Sequence, residues 1–254
     1  MISKNELKYY SGLLGKKFRE KEKKFIAEGE RIVEEGLKSK FKCEKIIVTH
    51  EYFEKKQDYL NNLIDDKKIL AVIKHQEFKR LSDTVNSQGI LAFFEMPQMS
   101  NKQQLKSDYI VCLENISDPG NIGTILRNCD WFGINDIVLT EGCAEIYNPK
   151  TIRASMGAVF HLNIIDKTDI NYIFNLKTKG YRLLTADLTG ENIFSFRFPE
   201  KLVIVFANEA SGPSPALLKI SDYLVTIPKY GSAESLNVAS AAAVILSRIK
   251  DIKN

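Results

Sequence analysis

The 254 residues hold only four cysteines and no CxxC pair, too few and too scattered for a disulfide framework or a thiolate metal site. Cys43, Cys112, Cys129 and Cys143 read as free thiols of a reducing compartment, three of them inside apolar segments. Histidine is scarcer still. His50, His75 and His161 stand at no metal-ligand spacing, so no metal is expected. No stretch approaches the roughly 18 unbroken apolar residues of a spanning helix, which excludes a membrane partner from the expectation. The first 24 residues lack the apolar centre of a signal peptide, so a cytoplasmic protein is expected. Neither G-x-x-x-x-G-K-[ST] nor G-x-G-x-x-G after a strand occurs, so nucleotide hydrolysis and dinucleotide redox chemistry lack their phosphate cradles.

What is present is ordinary in amount and uneven in distribution. Hydrophobic residues make up 44% and charged residues 27%, as in soluble globular proteins. The net charge is +4, yet residues 1–24 carry eight Lys/Arg against three Glu, a net of +5 that leaves −1 for the rest. A basic arm before a near-neutral body suits a polyanionic partner. A solvated helix face explains the same charges equally well.

The polar stretch "EMPQMSNKQQLKS" divides two patterns and predicts a small domain over 1–95, a linker over 96–107 and a second domain over 108–254. The first is mixed α/β. Phe25, Ile26, Ile32, Val33 and Leu37 recur at helical spacing, and strands are expected at Lys45–Thr49, Ile69–Ile73 and Ile90–Phe94, with a helix at Tyr59–Ile64. The second alternates. Strands are predicted at Tyr109–Glu114, Asp136–Thr140, Val159–Ile165, Tyr181–Ala186, Leu202–Ala207 and Tyr223–Ile227. Helices are predicted near Ile122–Phe132, Pro149–Met156, Asp169–Lys179, Pro215–Ile220 and Leu236–Ile249. Continuous apolar strands alternating with helices predict an α/β fold with a mostly parallel sheet.

In such sheets chemistry sits in the loops after the strands. Three loops are rich in polar residues and glycine: "ENISDPGNIGTILRNCDWFG" from Glu114, "FANEASGPS" from Phe206 and "IPKYGSAESLNVASAAAV" from Ile227. Each has a plain structural explanation. Asn121 and Ser235 suit helix caps, Glu209 a surface carboxylate, Gly212 a turn, and the alanines close helix packing. Their occurrence together, after strands of one domain, carries more weight than any one of them.

These stretches resemble, in order and spacing, the three motifs of the SpoU (TrmH) branch of the SPOUT RNA methyltransferases. "TIRASMGAVFHL" (151–162) resembles the segment that members place after their second strand, and "KFIAEGERIVEEGL" resembles the ribosomal-protein-like RNA-binding domain of the ribosomal-RNA members. The resemblance implies a SPOUT-type parallel sheet with a C-terminal trefoil knot, a homodimer, S-adenosylmethionine as cofactor and RNA, with ribosomal RNA favoured, as partner. It implies cofactor contacts through the backbone at Ala207, Ile227 and Leu236, with Gly212 shaping the same wall. It implies a catalytic set of Asn121, Arg127, Glu209, Ser235 and Asn237. Positions 207 and 210, often glycine in the family, are alanine here. Arg127 is a very poor base because a guanidinium stays protonated. It is therefore expected to bind a phosphate and stabilise the developing alkoxide, with Glu209, Ser235 and Asn237 orienting it and the ribose. The alternatives are an RNA-binding assembly factor with this fold and no turnover, or a transfer-RNA 2′-O-methyltransferase.

Overall fold

The longest apolar runs become strands buried on both faces. In the computed structural model, which describes residues 2–97 and 105–251, Tyr109–Glu114 and Leu202–Ala207 are buried at every position. In chain order the elements begin α1 (Lys4–Gly12), α2 (Lys16–Glu22), β1 (Lys24–Glu28), α3 (Glu30–Lys38), β2 (Cys43–Thr49), α4 (His50–Lys55), α5 (Gln57–Leu63), β3 (Leu70–Ile73), α6 (His75–Phe78) and β4 (Ile90–Glu95). They continue β5 (Tyr109–Glu114), α7 (Pro119–Trp131), β6 (Asp136–Thr140), α8 (Pro149–Ser155), β7 (Asn163–Thr168), α9 (Ile170–Thr178), β8 (Arg182–Asn192), β9 (Leu202–Ala207), α10 (Pro215–Ile220), β10 (Tyr223–Thr226) and α11 (Val238–Asp251). Of the expected linker, residues 98–104 lie outside the described residues.

The chain forms two compact units, and the first is discontinuous: residues 1–99 together with Tyr147–Phe160. Its sheet has the order β1-β4-β2-β3, antiparallel except for the parallel pair β2–β3. Successive strand residues face opposite sides, so the neighbours Phe93 and Phe94 build two different cores. Phe93 and Ile26 pack with Leu7, Tyr10 and Leu13 from the N-terminal helices. Phe25 and Phe94 pack with Phe160, while Phe25 also meets Tyr147. That second core explains two departures from the periodicity. Phe25 and Ile26 lie in β1, paired to β4, so helical spacing with Ile32 and Val33 is coincidental. Val159 and Phe160 form a 3₁₀ turn committed to the aromatic cluster, and β7 starts only at Asn163.

The second unit comprises residues 100–146 and 161–254. Its six-stranded sheet runs β10-β8-β9-β5-β6-β7, parallel throughout. The α/β, parallel-sheet expectation holds. The strand order reverses between β5 and β9, which places their outgoing loops side by side at the sheet's carboxyl edge. β8 runs on to Asn192, beyond the predicted Ala186, because Glu191 and Asn192 pair with Val225 and Thr226 after an excursion at 186–190. Glycine is required at 190: an added Cβ would collide with the backbone of Leu224 and Val225. α11 begins at Val238 rather than Leu236, because Asn237 caps it. Its Oδ1 accepts from Ala239 N (3.0 Å) and Ser240 N (3.3 Å). α11 packs on α7, where Asn128 Nδ2 donates to Ala239 O at 3.0 Å. Among the described residues no helix is long and apolar enough to cross a membrane.

Candidate active site

The loop after β5 opens α7. Asp118 is the cap, its side chain accepting from Asn121 N at 2.8 Å, and Pro119 takes the first helical position where its missing N–H is harmless. Asn121 is therefore not a cap, and its amide is free for another task. It donates to Glu209 Oε1 at 3.1 Å, across to the loop after β9. The same oxygen accepts from Asn237 Nδ2 at 2.7 Å and Val238 N at 2.8 Å, and Asn237 Nδ2 also donates to Asn121 Oδ1 at 3.0 Å. One carboxylate oxygen thus ties together residues of all three loops. Glu209 Oε2 takes no hydrogen bond among the described residues.

The loop after β9 is held at both ends. Asn208 Nδ2 donates to Asn115 O at 3.0 Å, while its Oδ1 accepts from Ala210 N and Ser211 N at 2.9 and 3.1 Å. Gly212, at φ +65°, turns the chain back so that its N–H reaches Asn208 O at 2.9 Å. At the far end Ser214 N and Oγ donate to the buried Glu114 carboxylate at 3.0 and 2.5 Å. Ala207 and Ala210 are absent from the residues with positive φ, so alanine in place of the family's glycine strains neither position.

Behind this network lies a cleft of about 620 Å³, inside the roughly 300–1,000 Å³ range of small-molecule sites. Phe206, Val225 and Ile245 line it and are buried. Ala207, Gly212, Ile227 and Leu236 line it too, as do Glu209 and Ser235. Asn121 and Asn237 stand outside the lining and act through Glu209. Ser235 makes no hydrogen bond among the described residues and precedes α11 rather than capping it. Arg127 is exposed on α7 with no hydrogen bond or ion pair among the described residues, so in this chain Glu209, Ser235 and Asn237 do not hold its guanidinium. Six residues turn a helix through roughly 600°, which puts Arg127 about a third of a turn away from Asn121's face.

Two parts of the cleft lie outside the expected site residues. Asn208, which shapes the second loop, was legible as an Asx-turn residue followed by Gly212. The wall Ala186–Thr189, pinned by Thr189 N and Oγ1 donating to Asp187 Oδ1 at 2.8 and 2.6 Å, lies where β8 continues past the expected strand end at Ala186. The thiols take no part in the site. Burial pushes the Cys112, Cys129 and Cys143 thiols up, which suppresses the nucleophilic thiolate. Among the described residues no three His, Cys, Asp or Glu side chains are grouped to hold a metal ion.

Comparison with known proteins places this geometry. Residues 108–247 match the SpoU rRNA Methylase family and residues 4–92 the MRM3-like substrate binding domain. The chain is 31% identical over 250 residues to the 23S rRNA (guanosine(2553)-2′-O)-methyltransferase RlmP of Bacillus subtilis, covering 98% of this chain and 97% of that one. It is 34% identical over 183 residues to the human mitochondrial rRNA methyltransferase 3, covering 68% of this chain and 42% of the human protein's length. The fold matches the SpoU methyltransferase AviRb of Streptomyces viridochromogenes, solved with the cofactor AdoMet, with a TM-score of 0.87 at 23% identity over 99% of this chain and 98% of that one. With its methylase half matched across all three loops, this chain belongs to the SpoU rRNA methylase family.

Proposed function

We propose that this protein transfers the methyl group of S-adenosylmethionine to a ribose 2′-hydroxyl of ribosomal RNA. The observation that carries this reading is the Asn121–Glu209–Asn237 network, which joins the three motif loops beside a mostly apolar cleft lined by the outgoing ends of β9 and β10 and the excursion of β8. The cleft suits the donor: apolar floor for a nucleoside, and backbone at Ala207, Ile227 and Leu236 for polar edges. When bound, S-adenosylmethionine supplies an electrophilic methyl on a sulfonium.

The chain's task is then positioning, because an in-line displacement depends on holding donor and acceptor in register. The 2′-oxygen forms the new C–O bond as the C–S bond breaks, and its proton leaves to solvent or to a nearby acceptor. Glu209, with Oε1 fixed by three donors, keeps Oε2 as the acceptor that orients the ribose hydroxyl. Arg127, exposed and without a partner among the described residues, is available to a phosphate and to the developing alkoxide. Asn237 orders the third loop through its cap on α11, and Ser235, which lines the cleft, is available to the ribose. RNA is captured by the first unit. Of the eight cationic side chains in residues 1–24, six are exposed: Lys4, Lys8, Lys16, Lys17, Lys21 and Lys23. Arg19 is buried and donates to Leu13 O and Leu14 O, and Lys24 pairs with Glu44, so these two serve the fold.

The homodimer and trefoil knot belong to the same proposal, with Trp131, 83% exposed on α7, as a side chain that a second copy would cover. Four free thiols suit a reducing, cytoplasmic setting. Mapping ribose methylation in ribosomal RNA from cells with and without the protein tests the reading. One 2′-O-methyl nucleotide should vanish on deletion; an unchanged ribosomal map, or a loss confined to transfer RNA, contradicts it.

A further inference from the structure

Among the described residues nine large hydrophobic side chains are exposed, and three of them, Leu188, Tyr230 and Leu236, line the cleft described above. Scattered exposed hydrophobes are ordinary, but their gathering at a binding cleft marks a contact surface. Tyr230 is the extreme case. It is 95% exposed in the third motif loop, and its ring and hydroxyl have no partner among the described residues. Next to it Lys229 is exposed, with no ion pair among the described residues. The floor of the cleft is buried and apolar, whereas Tyr230 stands at its open mouth. An aromatic face beside an unpaired cation is how proteins hold single-stranded nucleic acid, the ring stacking a base and the cation meeting a phosphate.

We infer that Tyr230 is the stacking platform for a nucleobase at or next to the target nucleotide, with Lys229 meeting the adjoining phosphate. This rests on the methyltransferase reading, and it assigns a substrate contact to a loop otherwise credited with the cofactor. Glu209, which orients the ribose in the proposed reaction, lines the same cleft. Stacking is sequence-tolerant, so Tyr230 contributes affinity and orientation rather than base identity.

The test uses the full chain, in vitro transcribed ribosomal RNA and radiolabelled S-adenosylmethionine. Tyr230→Ala should raise the RNA KM and the RNA Kd roughly ten- to a hundred-fold, the usual weight of one stacked base. Tyr230→Phe should stay within about three-fold of the parent, because the ring and not the hydroxyl does the stacking. Cofactor Kd and the dimer mass by light scattering should be unchanged in both. Lys229→Ala should lower the slope of log affinity against log salt by about 0.7. An RNA Kd unchanged in Tyr230→Ala overturns the inference. So does a Phe variant as weak as Ala, a cofactor Kd that rises in step with that for RNA, or dissociation of the dimer. RNA Kd is read without turnover, so failure of the methyltransfer reading would leave this result interpretable on its own.

Discussion

The two units handle polar groups in opposite ways. In the first, the cations assigned to RNA lie exposed on α1, α2 and the turn that follows, with Lys21 making a loose solvent-side pair with Glu22 at 3.7 Å. In the second, Asn121, Glu209 and Asn237 share four hydrogen bonds that also involve Val238 N, so removing one member leaves others unsatisfied. On the proposed function, the contrast teaches that RNA affinity should be additive over the cations, whereas chemistry should depend cooperatively on the cluster. Each prediction below strains that contrast at a different point.

The largest effect should come from treating the first unit as a detachable head. Deleting residues 1–97 strips Tyr147, Ile152, Val159 and Phe160 of the sheet and aromatic partners that belong to their unit. Exposing several large apolar side chains, at roughly 1.5–3 kcal/mol each, should leave an aggregating protein, seen by gel filtration. A soluble, monodisperse 98–254 fragment would show that Tyr147–Phe160 is independent of the first unit's core.

Beside the cluster, on α7, Arg127→Ala should cut kcat by about a hundred- to a thousand-fold, the effect of losing one preorganised stabiliser, with cofactor Kd unchanged. Arg127→Lys should keep weak activity, since a point charge remains and the bidentate fork is lost. Glu209→Gln should lower kcat by at least ten-fold, because an amide cannot match a carboxylate that accepts three hydrogen bonds. If Asn121→Ala and Asn237→Ala lose activity independently, their double mutant showing the product of the two losses, the cooperative picture fails.

The cations of the first unit should behave otherwise. Replacing Lys16, Lys17, Lys21 or Lys23 by Ala should weaken RNA binding a few-fold each and reduce the salt slope by about 0.7 per residue, with kcat intact. The smallest effect concerns acid. Burial alone would raise the Asp136 carboxyl, but hydrogen bonds from Asn163 Nδ2 at 2.6 Å and from Ser107 N and Lys106 N hold it below its ordinary 3.8. A lowered folded pKa means stability that is full above the unfolded value and lost as pH falls through the folded one. Asp136→Asn should therefore lower the Tm at neutral pH by a few degrees and flatten its fall below about pH 4. An unaltered acid limb in the variant would assign that loss to other carboxylates.

How much of this was legible follows from where the physics is local. β5 and β9 could be read at their observed bounds because both faces are buried and the apolar runs are unbroken. α10 was legible because Ser214 caps it and Pro215 opens it. Phe25, Ile26, Val159 and Phe160 were misread because their partners lie far along the chain, and only the folded sheet reveals which core claims them. At the site, the sequence marked the residues that line the cleft and join the network, through polar loops after apolar strands. Asp118-Pro119 carries the same start signal as Ser214-Pro215 and marks Asp118 rather than Asn121 as the cap, whereas nothing local shows that Arg127 stands clear of Glu209, because that depends on which way the face of α7 turns.

The central claim, that the acceptor is a ribose oxygen, is tested most directly by one atom. Once the modified nucleotide is mapped, RNA carrying a single 2′-deoxy substitution there should bind with the parent's affinity and take up no methyl from labelled S-adenosylmethionine. The substitution removes the nucleophile and leaves base and phosphates in place. Label incorporated at that deoxynucleotide would make a base atom the acceptor and contradict the account.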